Sequence, residues 1–336
     1  MTTLSLPDLE ALISAALVAS NVSSANSASV ARALTAAEAD GQKGHGLSRV
    51  PSYAAQARSG KVDGHAQPDA TQSRPGSIVI DARHGFSYPA IDIAIATLPA
   101  LARANGIAAA AIARSHHFGV AGHPCERLAV QGLVALAFGN TPSAMSPWGG
   151  QRALFGTNPI AFAAPCSDRP PVIVDLALSE VARGRIMTAA LQKKPIPLGW
   201  AVDQQGQPTT NAEAALKGTL LPSGGAKGAA LALMVEVLAA ALTGSNFAFE
   251  ATSFFEADGA PPSVGQLLLV IDPGAFAGNT SLPDRISLLA QAIEQDAGAR
   301  VPGKRRLDLR DHAAAHGVDV DAALLADVQD IAQHRW

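Results

Sequence analysis

A mixed α/β fold is what the chain predicts, and three observations predict it. From Ile78 onward, short apolar runs alternate with segments of helical periodicity, the texture of strands and helices sharing one core. The stretches before and after that region read as helices. A chain of 336 residues, 48% of them hydrophobic, can bury a large core, and its length allows one enlarged domain or two.

Taken in order, Ser5, Pro7 and Asp8 precede Leu9, Leu12, Ile13 and Leu17 at three-to-four-residue spacing, the pattern of a capped amphipathic helix. A second helix is predicted from Ser27 to Asp40 and stops at Gly41, which places Gly44-His45-Gly46 at or just beyond a helix C-terminus. Strands are expected at Ile78–Ile80, Ala108–Ala113, Leu133–Phe138, Pro159–Ala163, Val172–Val174 and Gln266–Ile271. Helical segments are expected at Ile91–Ala104, Pro124–Val130, Ser179–Leu191, Lys227–Leu242 with Gly244 ending it, Pro283–Ala297 and the C-terminal tail. No fixed-period repeat and no low-complexity linker divides the chain.

A net charge of −3 and a pI near 6.3 supply no basic field for nucleic acid, so a small soluble partner is expected. Cys125 and Cys166 have no CxxC spacing and are too few for a disulfide framework or a thiolate zinc cage, which fits a reducing cytoplasm. The first residues carry no basic leader, and apolar stretches are interrupted before spanning length, so neither export nor membrane insertion is expected.

Neither a Gly-x-Gly-x-x-Gly after a strand nor a Walker A sequence occurs. Candidate chemistry lies elsewhere. His45 and Arg49 pair an imidazole that titrates near neutrality with a planar fork suited to a carboxylate, although a turn histidine with a surface ion pair has the same spacing. Ser115-His116-His117-Phe118-Gly119-Val120-Ala121-Gly122 follows a strand and precedes a helix, where free amides can cradle a diphosphate. The adjacent histidines invite a metal, but they point apart and have no acidic neighbour, so none is expected. Asn140-Thr141-Pro142 and Gly156-Thr157-Asn158-Pro159 suit either polar-ligand contacts or plain turns, and Asp175 suits a helix cap. The turn Pro222–Gly228 offers amides and Lys227 to a phosphate, or is a flexible loop. Lys304-Arg305-Arg306 could neutralise an adenosine 2'-phosphate, or form a solvated face.

In their order, His45-Gly46-Leu47-Ser48-Arg49, His117-Phe118-Gly119, Gly156-Thr157-Asn158-Pro159, Val181-Ala182-Arg183-Gly184, Gly224–Gly228 and Pro302-Gly303 resemble the type 2 malate/L-lactate dehydrogenase family, which includes reductases of cyclic imino acids. The similarity runs over nearly the whole chain. It implies a non-Rossmann NADPH-binding α/β fold with a largely antiparallel sheet, a helical unit from 1–75 with 283–336 beside an α/β unit over 76–282, and a homodimer. It also implies that His45 donates the proton and that Arg49, Thr157, Arg183 and Gly184 border the substrate. Cofactor contacts would come from His117, Phe118, Gly119, Val120, Ala121 and Gly122, from Asp175, Leu176 and Ala177, and from Lys227 and Gly228. Val301, Pro302, Gly303, Lys304, Arg305, Arg306 and Leu307 complete that set, the basic triplet favouring NADPH over NADH.

Within the family, the run Gly44–Pro51 looks most like the reductases of Δ1-pyrroline-2-carboxylate and Δ1-piperideine-2-carboxylate, giving L-proline and L-pipecolate. The expected chemistry is hydride transfer with His45 keeping the imine protonated and Arg49 holding the carboxylate. Two departures stand out: Gly44 where many members have Ser, and Arg185 where some imino-acid reductases have an acidic residue. The alternatives are dehydrogenation of a 2-hydroxy acid such as malate, lactate or a ureido acid, with Arg183 or Arg185 holding a second carboxylate, and a small-acid binding protein without turnover.

Overall fold

The computed structural model describes residues 1–276 and 281–335. Its centre is a seven-stranded open sheet in the order β2(Asp69–Arg74), β3(Ser77–Asp81), β4(Ile107–Ser115), β10(Val264–Ile271), β5(Val134–Gly139), β6(Ile160–Ala164), β7(Val172–Leu176). Only β3 and β4 run parallel; every other neighbouring pair is antiparallel. The mixed, largely antiparallel sheet is therefore as expected.

Alternation along the strands directs side chains to two covers. On one face Ile80, Ile112, Leu268 and Val270 pack beneath α4(Ser87–Asn105) and α5(Gly122–Ala129) through Ile91, Leu98 and Leu128. On the other, Phe138 and Leu267 meet α6(Arg183–Leu191) through Ile186 and α8(Ala226–Val235) through Val235. A separate core joins α1(Leu6–Ala19), α2(Ser24–Ala39) and α3(Val50–Ser59) to α10(Lys304–His316) and α11(Ala322–Ala332) at the C-terminal end. A ribbon of β1(Thr2–Leu4) with β11(Val318–Val320) ties the two chain ends together.

The structure departs from the sequence reading at particular places. The helix expected over Ser179–Leu191 starts only at Arg183. Residues 178–180 instead give their amides to other loops, Leu178 to the Thr157 carbonyl and Glu180 to the Leu221 carbonyl, each at 2.8 Å. The long apolar helix is present, but α8 widens to a π-helix over Glu236–Ala241. α3, the wholly exposed polar edge strand β2, the short pair β8(Ala201–Val202) with β9(Thr219–Leu220), and α7(Ala212–Lys217) had no expectation attached. α9(Leu282–Gln295) falls where a helix was expected.

Candidate active site in a cleft at one end of the sheet

Because neighbouring strands are mostly antiparallel, one end of the sheet gathers the C-terminal ends of β4, β5 and β7 with the N-terminal ends of β6 and β10. That end opens into a cleft of about 1660 Å³. It exceeds the ~300–1,000 Å³ of an ordinary small-molecule site, so it has room for a large ligand beside a small one. His45, Arg49, His117–Ala121, Thr157, Asp175, Ala177, Arg183 and Gly184 all line it.

His45 arrives from α2. Asp40 caps that helix, Gly41 turns at φ 71°, and two 3-10 turns, Lys43–His45 and Leu47–Arg49, lead into α3. The turns are pinned by Glu38, whose buried carboxylate accepts the Leu47 amide at 2.7 Å and runs so close under Gly46 that a Cβ there would collide with it. Gly44 is different: a Cβ at that position meets open space, so the missing side chain there is not a packing requirement.

The His45 imidazole lies against His117, ring centroids 5.2 Å apart and planes 10° from parallel. Its Nδ1 is buried without a hydrogen-bond partner. Burial, with Arg49 and His123 adding positive charge, pushes its pKa down to about 3. His45 is thus neutral near pH 7, the form that accepts a proton.

Arg49 is held at one edge, its Nε donating to the Gly44 carbonyl at 2.7 Å, while its guanidinium sits 4.8 Å over the Phe255 ring. One terminal nitrogen, Nη1, is buried and unpartnered. The alternative of a surface ion pair is not what forms: among the described residues no carboxylate pairs with Arg49, Arg183 or Arg185. Arg183 reaches the Leu216 carbonyl at 3.2 Å from the first turn of α6, and Arg185 lines the same cleft. Gly184 between them has nothing within 4 Å of a would-be Cβ, which keeps the wall open.

Thr157 and Thr141 face one another, the Thr157 amide donating to Thr141 Oγ1 at 2.9 Å. Their loops are anchored by Glu236, the first residue of the π-helix, which accepts from Asn158 Nδ2 at 2.8 Å, from the Ala248 amide at 3.1 Å and from Asn140 Nδ2 at 3.4 Å. Burial raises the Glu236 pKa against these donors. Glu236 escaped sequence reasoning because it sits in an apolar helix as a lone acid, and its side-chain partners Asn158 and Asn140 lie 78 and 96 residues away.

The remaining expected contacts divide. Asp175 accepts the Gly122 amide at 2.8 Å, so that amide serves the protein and not an added diphosphate. Leu176 is exposed beside it. Lys227 and Gly228 open α8, and Val301–Leu307 lead into α10, outside the cleft lining. The basic triplet does not act as one patch. Arg306 is buried 3.4 Å from Asp40, while Lys304 and Arg305 are exposed. α3, α4, α5, α6, α8 and α10 begin on a residue whose side chain makes no cap, although Asp175 takes the first α5 amide, whereas α1, α2, α7, α9 and α11 begin on a capping Ser, Asn or Asp. Uncapped N-termini leave amide donors and the positive end of the helix dipole for an anion.

Residues 4–329 match the family model described as malate/L-lactate dehydrogenase. The chain belongs to that family. It is an oxidoreductase. It is 53% identical over 308 residues, 91% of each chain, to a (2R)-3-sulfolactate dehydrogenase (NADP(+)) of Chromohalobacter salexigens. It is 40% identical over 329 residues, 96% of this chain and 95% of the relative, to a Δ1-pyrroline-2-carboxylate/Δ1-piperideine-2-carboxylate reductase of Pseudomonas putida. The crystal structure of Δ1-piperideine-2-carboxylate reductase from Pseudomonas syringae pv. tomato superposes with a TM-score of 0.93 at 39% identity, covering 98% of this chain and all of that one.

Proposed function

We propose that this protein is an NADP(H)-dependent dehydrogenase interconverting a small 2-hydroxy acid and its 2-oxo acid, the acid carrying a second anionic group as 3-sulfolactate does. The observation that carries the reading is the set of three arginines, Arg49, Arg183 and Arg185, that line one cleft with no carboxylate paired to any of them among the described residues. One carboxylate occupies one guanidinium fork. A second anion gives the others a partner, and a pair of unit charges near 4 Å is worth about 4 kcal/mol at a surface-like dielectric. A cyclic imino acid offers one carboxylate and an iminium cation, which the extra arginines repel by a similar amount. The 53% identity to a sulfolactate dehydrogenase points the same way.

NADP(H) supplies or takes the hydride when bound. The uncapped starts of α6, α8 and α10 fit its phosphates, and of the triplet Lys304 and Arg305, not Arg306, are exposed to meet a 2'-phosphate. His45, neutral in the free protein, takes the hydroxyl proton during oxidation and returns it during reduction. Arg49, its plane fixed by the Gly44 carbonyl and Phe255, presents Nη1 to the carboxylate beside the reacting carbon. Thr157 borders the same space, its loop held by Glu236.

Reduction of cyclic imino acids is the second reading, favoured by the 40% identity to the Pseudomonas putida reductase across nearly the whole chain. Measuring NADP+ reduction with 3-sulfolactate, malate and lactate, and NADPH oxidation with Δ1-piperideine-2-carboxylate, separates the two. We also propose a homodimer. Leu231, Leu233, Met234 and Val237 leave an apolar face on α8 and the π-helix exposed, with no charged residue among them. Such a face suits its own symmetry copy.

A further inference from the structure

We propose that α3 is a tautomer lock: Tyr53, backed by Tyr88, fixes His117 with its proton on Nε2, and Gln56 one turn further along fixes His116 likewise. Tyr53 is fully buried, and its hydroxyl lies 2.6 Å from His117 Nδ1 and 3.1 Å from the Tyr88 hydroxyl. Two hydroxyl protons and one ring nitrogen can be arranged in two ways. If His117 Nδ1 carried the proton, it would donate to Tyr53, Tyr53 to Tyr88, and the Tyr88 proton would have no acceptor among the described contacts. With the order reversed, Tyr88 donates to Tyr53 and Tyr53 to an unprotonated Nδ1, and both hydroxyl protons are used. An unmade buried hydrogen bond costs about 1–3 kcal/mol, which decides between the two.

Gln56 settles its partner in the same manner. Its Nε2 donates to the Glu256 carbonyl at 2.9 Å, so its Oε1 faces His116 and must accept from His116 Nε2 at 2.8 Å. Tyr53 and Gln56 stand at i and i+3, on one face of α3, and reach the two consecutive histidines that follow β4. The consequence for the cleft is directional. His117, stacked on His45, presents an Nε2–H donor, so the stacked pair holds one fixed donor beside one group free to exchange its proton. Tyr53, Tyr88 and Gln56 are positioning residues that act through the histidines.

The test is heteronuclear NMR of protein labelled with ¹⁵N-histidine, the His117 signals assigned by their loss in His117→Asn. Wild type is expected to show a single neutral Nε2–H tautomer at His117. Tyr53→Phe is expected to give a mixture with Nδ1–H, and Tyr88→Phe to keep the Nε2–H form. A wild-type spectrum dominated by Nδ1–H, or a Tyr53→Phe spectrum unchanged from wild type, overturns the proposal; the wild-type spectrum decides even where a variant fails to fold. A kinetic arm rests on the dehydrogenase reading and fails separately from the spectra. Tyr53→Phe should lower kcat by roughly tenfold or more while KM moves by less than about threefold, and an equal rise in KM with kcat unchanged contradicts that arm.

Discussion

The imidazoles of His45 and His117 stack at 5.2 Å, yet only one of them is tied down. His117 Nδ1 is held by Tyr53, whereas His45 Nδ1 has no partner. On the proposed reading the untethered ring, His45, is the one that exchanges a proton with substrate. His45→Ala should lower kcat by about 10²–10⁴, the usual span for a general acid–base group, while NADPH binding followed by fluorescence is retained. Turnover within a factor of a few of wild type would remove His45 from the reaction.

The pH dependence follows from the depressed pKa. For oxidation His45 must be neutral, and with its pKa pushed to about 3 it is neutral at every working pH. The kcat/KM profile for oxidation, which reports the free enzyme, should show no acid limb near 6.5. A bound dianion offsets the charge of Arg49 but leaves burial, the larger cause, in place, so binding of the oxo acid near pH 7 should take up only a small fraction of a proton. Calorimetry in buffers of different ionisation enthalpy measures that uptake.

On the proposed reading Arg185 sets which acid is preferred. Arg185→Glu should reduce kcat/KM for a dianionic acid by about tenfold or more, since even ~1.4 kcal/mol of lost attraction gives that factor. The same variant should leave lactate much less affected. Competition assays with the two acids in one mixture read the ratio directly, and an equal loss for both would place Arg185 outside the substrate's reach.

Acid should destabilise the fold in a defined window. His116 is buried and its pKa is pushed to about 3 by burial, then by Arg49 and Lys61. The unfolded chain binds the proton that the folded one refuses, so stability is full above the unfolded pKa near 6.5 and declines as pH falls toward the folded value. The slope for one such group is about 1.4 kcal/mol per pH unit. Urea unfolding between pH 7 and 4 should show it, and His116→Gln should remove one group's share of the slope, since His45 and His117 are buried with lowered pKa as well.

Asp40 joins three elements. Its carboxylate is fully buried and binds Arg310 Nε at 2.7 Å, His123 Nε2 at 2.9 Å and Arg306 at 3.4 Å, so α10, α5 and the end of α2 meet on one acid. Burial opposes its charge, but the bonds from His123 and Arg310 outweigh it and hold the pKa below the usual carboxylate value. Asp40→Ala leaves the buried Arg306 without its carboxylate while Arg310 keeps Glu126, and should cost about 1–3 kcal/mol, read as a shift in the urea midpoint.

Much of this was legible from the chain. The strands around Ala110, Leu136 and Leu268 announced themselves because they are buried on both faces and read as continuous apolar runs. His45 and Arg49 stood out because glycines flank a reactive pair. Their meaning depended on the family, since spacing alone does not exclude an ion pair. Tyr53, Gln56 and Glu236 stayed hidden because their partners are distant in sequence, at His117, His116 and Asn158. One signal was available for the first: the chain has two tyrosines, and both belong to the His117 relay. The basic triplet was read as one patch because sequence gives charge but not facing, and the turn of α10 puts Arg306 inside and its neighbours out.

The most direct measurement is the initial rate of NADP+ reduction with 3-sulfolactate, set beside the rate of NADPH oxidation with Δ1-piperideine-2-carboxylate at matched concentration. The account predicts that the dianionic hydroxy acid has the higher kcat/KM and that the preference collapses in Arg185→Glu. Faster turnover of the cyclic imine, unchanged by that substitution, would contradict it.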